Sequence, residues 1–521
     1  MSKILSLKQA VSLTKDFKLK GKKVCHCHGC FDLVHFGHLK YFEASKAFGD
    51  ILIVSITPDR FIKKGPGRPA FDEKKRLNFL AELEVVDYVF LNNEADAVSL
   101  LKLLKPNFTF RGKEYEDFKK DITGKIALEA EAIESVGGSL KIIDEERFSS
   151  TNLLNNGSFN FLKPEQEKFI NLIRKKEIPQ KTLSFLESVS NKKVLNIGEI
   201  IIDEYIYTSV RGTVTKHPII SASFLGEKIM TGGVLATVRH LDSMINNTFL
   251  LTTYGEANKN YLPLIKDSIP PKTKSKIFEN KKDFTVVKRR FISSSGYPNP
   301  LSDKLDSQLT GNSQNRLFEI GYIPSNFIDR SSEKKLLKFL DEKLSEFDLA
   351  IVSDFGHGLM TSKVINKIAK SKKLSINAQT NSTNFGFNLF NKYSKSNFIC
   401  LDELEARLPF GERIASLDAI AKRILKKYAR ASLMISRGKN GLVFYQDGKV
   451  YRAPALASKV IDPVGAGDAL YMGASLAAIF QKDPLVTVLL SSIMGMLGTS
   501  IEGNERGISR NEIIRSIKGL I

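Results

Sequence analysis

The sequence predicts an α/β protein with two domains, each built around a mainly parallel sheet. Its 521 residues exceed what one hydrophobic core usually organises, so more than one domain is expected. Short apolar runs alternate with amphipathic stretches from about residue 22 to 143, and a second such series begins near residue 192. This strand–helix rhythm is typical of parallel sheets that are covered by helices.

The first series predicts an N-terminal domain over residues 1–155. Its strand candidates are KVCHCHG, ILIVSIT, VVDYVFL, FTFRG and SLKII, and helical patterns such as HLKYFEASKAF and DEKKRLNFLAEL lie between them. Residues 156–190 change to polar and charged segments with two short helix candidates, and we assign them to a connector.

The second series predicts a C-terminal domain over residues 191–521. It runs through KKVLNIGEIIIDEY, FDLAIVSDFG, KLSINAQ, NFICLDE and SLMISRGKNGLVFY. Segments 205–225 and 284–300 have the pattern of strands that form a small β lid. Because exposed strand edges invite pairing, the lid would permit a homodimer.

The composition is that of a soluble globular protein with a strong positive charge. Hydrophobic residues make up 42% of the chain, charged residues make up 26%, and the net charge is +21. The lysines are scattered through helices and loops, and no arginine-rich arm is present. We therefore favour small polyanions, namely a nucleotide and a sugar phosphate, over nucleic acid as the binding partners.

The cysteine content indicates a reducing, cytoplasmic setting. Only four Cys occur, and three of them lie in CHCHGC at residues 25–30. No second Cys/His pair follows at the spacing of a zinc site, so buried strand thiols are favoured over a metal centre.

No segment of the sequence is predicted to enter a membrane. The N-terminus lacks the apolar core and cleavage site of a signal peptide. The apolar segment Leu485–Ile501 follows Asp483-Pro484, a pair that is typical of a helix start, and we interpret it as a buried helix.

The first chemical motif is GCFDLVHFGH, directly after the first strand of the N-terminal domain. Gly29 ends the strand, and His35 and His38 stand at the start of the next helix. A helix N-terminus offers free N–H groups and a positive dipole end to phosphate oxygens. Two imidazole donors can stabilise the charge that develops when an α-phosphate is attacked, so we predict His35 and His38 as catalytic residues.

This stretch resembles the nucleotidyltransferases of the cytidylyltransferase type, and the resemblance extends over the whole N-terminal domain. It implies a Rossmann-like fold and attack on the α-phosphate of ATP or CTP with release of pyrophosphate. It further implies a substrate or phosphate contact from Arg76. The nucleotide or phosphate contacts that it implies are Gly29, Phe31, Asp32, Lys64 (or Lys63), Arg111, Ser149, Ser150 and Thr151.

The second chemical motif is DPVGAGDAL, near the end of the chain. Gly465, Ala466 and Gly467 are small residues at a helix start, where backbone N–H groups can approach a phosphoryl group closely. Asp468 lies in the first turn, where it could accept the proton of an attacking hydroxyl. We therefore predict Asp468 as the catalytic base and the three preceding residues as a phosphate site.

With SRGKNGLVFY about thirty residues upstream, this motif resembles the ribokinase-like sugar kinases of the PfkB type, over roughly residues 191–521. The resemblance implies a ribokinase-like α/β fold with a β lid, and the use of ATP with Mg²⁺. GEIIIDEY would be the opening strand of that fold, with Asp203 on the substrate hydroxyls. The other contacts implied are Gly232 and Gly233 for substrate, Ser436 and Gly438 for nucleotide, and Glu405 for the metal.

Together the two motif sets resemble the bifunctional heptose-phosphate kinase/adenylyltransferases of lipopolysaccharide precursor synthesis, with the order of the domains reversed. The resemblance implies an enzyme that phosphorylates a sugar or sugar phosphate and attaches a nucleotide to it, giving a nucleotide-activated sugar. This chain departs from the kinase pattern at Ala236, at residues 377–379 (Asn-Ala-Gln) and at Asp402. The alternative is therefore an active nucleotidyltransferase with a weakened, sugar-binding kinase-like domain. A third hypothesis is a nucleic-acid-associated protein recruited by its charge.

Overall fold

The structure is a computed structural model that describes residues 3–62, 68–94, 96–112, 125–143, 162–214, 219–281, 283–293, 315–324, 327–381, 384–458 and 460–521. The chain divides into two compact units. Residues 1–170 and 514–521 form the first unit, and residues 171–513 form the second. Helix Pro164–Lys175 contains the boundary at residue 170, and helix Arg510–Lys518 contains the boundary at residue 513.

The first unit contains a six-stranded sheet in the order β1-β4-β3-β2-β5-β6, and every neighbouring pair is parallel. Successive residues of β3 pack into two different apolar clusters, so both faces of the sheet are buried, as a Rossmann-like sheet requires. The strands are β1 Ile4–Leu5, β2 Val24–Gly29, β3 Ile51–Ile56, β4 Tyr88–Leu91, β5 Phe108–Gly112 and β6 Ser139–Ile143. The described helices among them are Leu7–Leu19, Phe36–Lys46, Glu73–Ala81, Val98–Leu104 and Lys125–Glu134.

The second unit contains two sheets. The larger has nine strands in the order β11-β10-β7-β14-β15-β16-β17-β18-β19, parallel as far as β17 and antiparallel in the last two pairs. Its strands are β7 Lys193–Gly198, β10 Asn247–Gly255, β11 Lys274–Asn280, β14 Leu349–Asp354, β15 Leu374–Ala378, β16 Phe398–Asp402, β17 Ser432–Ser436, β18 Leu442–Gln446 and β19 Lys449–Ala453.

The smaller sheet is the predicted lid. Its order is β13-β12-β8-β9, and its strands are β8 Ile200–Thr213, β9 Ile220–Gly233, β12 Val286–Ser293 and β13 Asn315–Tyr322. The predicted lid segments 205–225 and 284–300 overlap three of these strands, so the mixed α/β fold with a β lid is confirmed.

Helices cover the larger sheet. The described helices that start in this unit are Ile178–Val189, Val234–Asp242, Leu262–Asp267, Arg330–Lys343, Ser362–Ile368, Glu403–Arg407, Leu417–Lys427, Ala466–Phe480, Pro484–Gly498 and Arg510–Lys518. Helix Pro484–Gly498 is buried along most of its length, as its sequence predicted. None of the helices in the described part of the chain combines the length and the apolar character that crossing a membrane would need.

The start of the second domain differs from the prediction at one point. The predicted opening strand GEIIIDEY is interrupted, because β7 ends at Gly198 and the chain enters the lid strand β8 at Ile200. Between them, the buried carboxylate of Glu199 accepts hydrogen bonds from three backbone N–H groups in residues 355–359, at 3.0 to 3.3 Å. Asp203 therefore lies on a lid strand rather than on the opening strand of the main sheet.

Candidate active sites

The first candidate site lies at the corner between β2 and helix Phe36–Lys46. His35 is the N-cap of this helix in an extended conformation, and its backbone N–H donates to Nδ1 of His38 at 3.4 Å. The two imidazole rings lie 4.0 Å apart, centroid to centroid. Burial lowers the pKa of His35, so this ring is a neutral hydrogen-bond donor at neutral pH. The structure thus brings the two predicted catalytic histidines together at a helix N-terminus.

The backbone before the histidines is tightly constrained. Phe31 has a positive φ of 44°, and its ring packs edge-on against His38 at 5.4 Å. Gly29 lies beneath this ring, where a Cβ would come within 2.9 Å of the ring carbon Cζ. Gly29 and Phe31, both predicted to contact nucleotide, therefore shape the turn that sets the position of His38.

The contacts that the structure shows for Asp32 are made within the protein. Its buried carboxylate pairs with Nε of Arg68 and accepts hydrogen bonds from the backbone N–H groups of Ala70 (2.6 Å) and Phe71 (3.1 Å). The two Nη groups of Arg68 are buried and have no hydrogen-bond partner among the described residues. Arg68, which the sequence analysis did not single out, is thus a further cation at this corner.

Arg76 joins the loops that follow β2 and β3. Its guanidinium donates to the backbone carbonyl oxygens of Cys30 and Thr57 (2.9 Å to the latter), and to the carboxylate of Asp59 at 2.7 Å. Its Nε donates to the carbonyl oxygen of Phe71 at 3.1 Å. The side chain is buried, so its observed contacts are internal and its predicted substrate contact stays a prediction.

Arg111, at the end of β5, is also bonded within the first unit. Its guanidinium pairs with the carboxylate of Glu129, and Nη1 donates to the carbonyl oxygen of His28 at 2.8 Å. The predicted contacts Lys64, Ser149, Ser150 and Thr151 lie outside the described residues.

The cysteines and histidines of β2 lie on opposite faces, as strand alternation predicts. Cys25 and Cys27 are buried in an apolar cluster, and burial raises the pKa of Cys25 to about 12 and that of Cys27 to about 11. His26 and His28 both bond the hydroxyl of Ser55 at 2.8 Å, and burial lowers the pKa of His28 to about 3. The described residues hold no group of three or more His, Cys, Asp or Glu side chains that could bind a metal ion.

The second candidate site lies at the start of helix Ala466–Phe480. Gly465 caps this helix with a φ of +80°, a conformation that favours glycine, and Asp468 follows in the first turn. Asp468 is buried, and its Oδ1 accepts a hydrogen bond from Nε2 of Gln379 at 2.6 Å. Burial raises the pKa of Asp468 to about 6, although the hydrogen bond from Gln379 opposes this shift. The carboxylate can therefore take up a proton near neutral pH, as a general base must.

Asp203 faces the same region from the lid strand β8. Its carboxylate accepts hydrogen bonds from Nη1 of Arg290 (2.5 Å) and from Nδ2 of Asn504 (3.0 Å). At Gly232 a Cβ would lie 2.3 Å from Oδ2 of Asp203, so only glycine leaves this carboxylate in place. Gly233 follows with a φ of +61° and caps helix Val234–Asp242.

Asp462 organises the loop before the phosphate site. Its Oδ2 accepts hydrogen bonds from the Tyr205 hydroxyl (3.0 Å) and the Gly503 N–H (2.9 Å). Its Oδ1 accepts from the Val464 N–H at 2.9 Å and pairs with Arg316. The first residue of DPVGAGDAL therefore connects the lid strand β8 to the helix start.

Glu405 and Asp402 lie where β16 ends. Each carboxylate accepts a hydrogen bond from the other residue's backbone N–H, and Glu405 also accepts from the Thr380 N–H at 3.0 Å. Burial and the negative charges of Asp402 and Asp468 raise the pKa of Glu405 to about 8. Ser436 pairs with Asp402 in register, and Gly438 opens the following turn, so the predicted nucleotide contacts lie beside these carboxylates.

Four residues of the second site were missed by the sequence analysis: Gln379 as a partner of Asp468, and Lys288, Arg290 and Asn504. The segment VVKRRF carried a signal for two of them. Alternate residues of a strand share a face, so Lys288 and Arg290 had to point the same way from an otherwise apolar strand. Asn504 lies 301 residues from Asp203 along the chain, and no local pattern connects them.

Two family models match separate parts of the chain. Residues 26–156 match the sequence model of the family described as cytidylyltransferase-like, and residues 360–490 match that of the pfkB family carbohydrate kinases. The chain therefore carries a cytidylyltransferase-like domain in its N-terminal part and a pfkB-type carbohydrate kinase domain in its C-terminal part.

Curated relatives match the N-terminal part. The bifunctional protein HldE of Geobacter metallireducens is 33% identical over 156 residues, which cover 29% of this chain and 30% of that protein. HldE of Nitratiruptor sp. is 37% identical over 141 residues, which cover 26% of this chain and 30% of that protein. The chain thus spans about 30% of the length of these relatives.

Solved structures match over a longer range at low identity. Phosphofructokinase-2 of Escherichia coli in complex with potassium is 13% identical, with a TM-score of 0.48, over 63% of this chain and 99% of that chain. The nucleoside kinase of Methanocaldococcus jannaschii is 16% identical, with a TM-score of 0.42, over 63% of this chain and 99% of that chain.

Proposed function

We propose that this protein phosphorylates a sugar or sugar phosphate with ATP and transfers a nucleotidyl group from ATP or CTP to a sugar phosphate, giving a nucleotide-activated sugar and pyrophosphate. The observation that carries the proposal is the presence in one chain of two helix starts that carry different reactive groups. The first presents paired imidazoles, and the second presents a buried carboxylate.

In the kinase reaction, Asp468 takes the proton of the acceptor hydroxyl while the hydroxyl oxygen attacks the γ-phosphorus of ATP and ADP leaves. The backbone N–H groups that follow Gly465 stabilise the transferred phosphoryl group. Asp203 orients the acceptor from the lid, and Gln379 holds the base in position. This geometry accounts for a glycine-rich turn directly before the base.

Asp402 and Glu405 are two carboxylates three residues apart, and in kinase sites Mg²⁺ is usually held by one or two carboxylates together with the nucleotide phosphates. Asp402 and Glu405 would hold Mg²⁺, which would neutralise charge on the nucleotide phosphates.

In the transferase reaction, a phosphate oxygen of the sugar phosphate attacks the α-phosphorus of the nucleotide, and pyrophosphate leaves. His35 and His38 donate hydrogen bonds to the α-phosphate oxygens as negative charge develops there. Arg76 and Asp32 fix the loops around the histidines. Because the structure describes all four cysteines and joins none of them in a disulfide, we place the reaction in a reducing, cytoplasmic compartment.

The test is mass spectrometry of products that the full chain forms from ATP, CTP, Mg²⁺ and a panel of sugar phosphates including heptose 7-phosphate. A bisphosphate together with a nucleotide-sugar would support both activities and identify the base. A nucleotide-sugar that forms only from a ready-made 1-phosphate would favour the transferase with a weakened kinase-like domain. If neither product forms with any acceptor, the proposal is wrong.

A further inference from the structure

A lysine without a partner faces the second site from the lid. Lys288 lies on β12 in register with Asp203 on β8, and it is half-buried. Both neighbouring cations on β12 are paired, Arg289 with Glu204 and Arg290 with Asp203. The ammonium group of Lys288 makes no hydrogen bond or ion pair with any residue that the structure describes. Burying an ammonium group without a partner is unfavourable, so its retention calls for a ligand.

A histidine without a partner lies in a loop that packs against the lid, because Phe355, two residues before it, shares a buried apolar cluster with Val286 of β12. His357 follows β14 and is only 7% exposed, and both ring nitrogens are buried with no hydrogen-bond partner among the described residues. Its backbone N–H donates to Glu199 at 3.1 Å, so the loop that carries it is fixed by the protein rather than by a ligand. Burial, and the nearby charge of Lys288, lower the pKa of His357 to about 4.

The charge of Lys288 also acts on groups of the catalytic centre. It opposes the rise that burial causes in the pKa of Asp468. Burial lowers the pKa of Lys288 itself, and the negative charges of Glu319 and Asp203 oppose this shift. Lys288 therefore interacts electrostatically with His357, with Asp203 and with the predicted base Asp468. A cation and a neutral N–H donor that converge beside a kinase base are suited to the oxygens of a phosphoryl group.

We propose that Lys288 and His357 together bind a phosphoryl group in the kinase site. The source of that group rests on the proposed kinase function. The binding itself is inferred from the two side chains that lack partners. The group has two sources: a phosphate that the acceptor already carries, or the phosphoryl group in transfer from ATP.

Binding is tested on the full chain with inorganic phosphate as the probe. The chain contains seven His, so NMR of histidine-labelled protein can follow His357, with His357→Gln used to assign its signal. A bound phosphate dianion stabilises imidazolium, so saturating phosphate is expected to raise the pKa of His357 from about 4 to above 5. In Lys288→Met this response should need at least tenfold more phosphate. An unchanged His357 signal at saturating phosphate would overturn the proposal, whether or not the kinase is active.

Kinetics then separate the two sources. If the acceptor's own phosphate is bound, Lys288→Met raises KM for phosphorylated acceptors at least tenfold and leaves unphosphorylated acceptors unaffected. If the transferred group is bound, kcat falls at least tenfold for every acceptor. Lys288→Arg keeps the positive charge and should recover most of the lost activity. Lys274→Met, which removes an exposed lysine from β11, is the control because it changes the net charge by the same amount. Wild-type kcat and KM in Lys288→Met with all acceptors would contradict the proposal.

Discussion

The two candidate active sites both lie at the start of a helix, but they use their cationic side chains differently. In the first site, Arg76 and Arg111 are bonded to carbonyl and carboxylate oxygens of their own unit. In the second site, Arg290 is paired in the same way, whereas Lys288 has no partner among the described residues. Arg76 and Arg111 thus use their charge to hold loops in place, whereas Lys288 leaves its charge available to a ligand.

This difference indicates which property each residue controls. Removing a cation that is bonded within the fold leaves buried acceptors unsatisfied, so stability should fall. Removing a cation that has no partner relieves a desolvation penalty, so stability should be kept while ligand binding is lost.

The largest expected effect is on the second site. Asp468→Asn keeps the shape of the side chain but removes the base, so sugar-dependent ADP formation should fall by about 10²–10⁴-fold. Pyrophosphate release by the transferase should be unchanged, and it serves as the internal control. Equal losses in both half-reactions would mean that the sites are not independent.

The next largest effect is on the first site. His38→Ala removes one donor to the α-phosphate, so pyrophosphate release should fall by about 10²–10³-fold while ADP formation is kept. The matched control is His240→Ala, which removes a buried histidine of the second unit. Transferase activity that survives in His38→Ala would show that the paired imidazoles are structural.

Arg76→Met tests whether the buried guanidinium of Arg76 stabilises the loops of the first unit. It leaves Asp59 and three backbone carbonyl oxygens without their donor, so the first unit should lose about 3 kcal/mol of unfolding free energy. Because the chain has no Trp, hydrogen exchange of β2 peptides is the suitable measurement. Lys75→Met, an exposed neighbour in the same helix, should change the protection by less than about 0.5 kcal/mol. If the two variants behave alike, Arg76 does not hold the loops.

The smallest effect concerns the pH dependence of the kinase. Asp468 acts as a base only when deprotonated, so kcat should rise as the pH increases through about 6. Gln379→Leu removes the hydrogen bond that keeps the pKa of Asp468 from rising further on burial. The rise in kcat should therefore occur at higher pH in this variant. A pH–rate profile of both proteins measures the shift, and a limb that moves to lower pH would contradict the assigned role of Gln379.

The sequence was sufficient for the elements whose pattern is local. FTFRG and SLKII became β5 and β6 with the predicted bounds, because buried parallel strands are short apolar runs between polar turns. His35 and His38 came together because they lie three residues apart at a helix start. Long-range partners could not be found in this way: Asn504 reaches Asp203 only because the loop after helix Pro484–Gly498 returns to the lid strand.

The break between β7 and β8 at Glu199 is a second feature that depends on residues far away in the sequence. Its neighbours Gly198 and Ile200 continue the apolar run, and the sequence predicted one strand through them. The turn depends on three backbone N–H groups about 160 residues later that converge on the Glu199 carboxylate. The domain boundaries and the individual ligand contacts stay predictions.

The position of Asn504 links three distant parts of the sequence. Its Nδ2 bonds Asp203, its Oδ1 would lie 2.4 Å from a Cβ at Gly465, and a Cβ at Gly232 would lie 2.8 Å from the same amide. A larger residue at either glycine must therefore displace the amide and, with it, Asp203. We therefore expect natural relatives to retain Asp203, Gly232, Gly465 and Asn504 together, and a relative that alters one of them to carry compensating changes at the others.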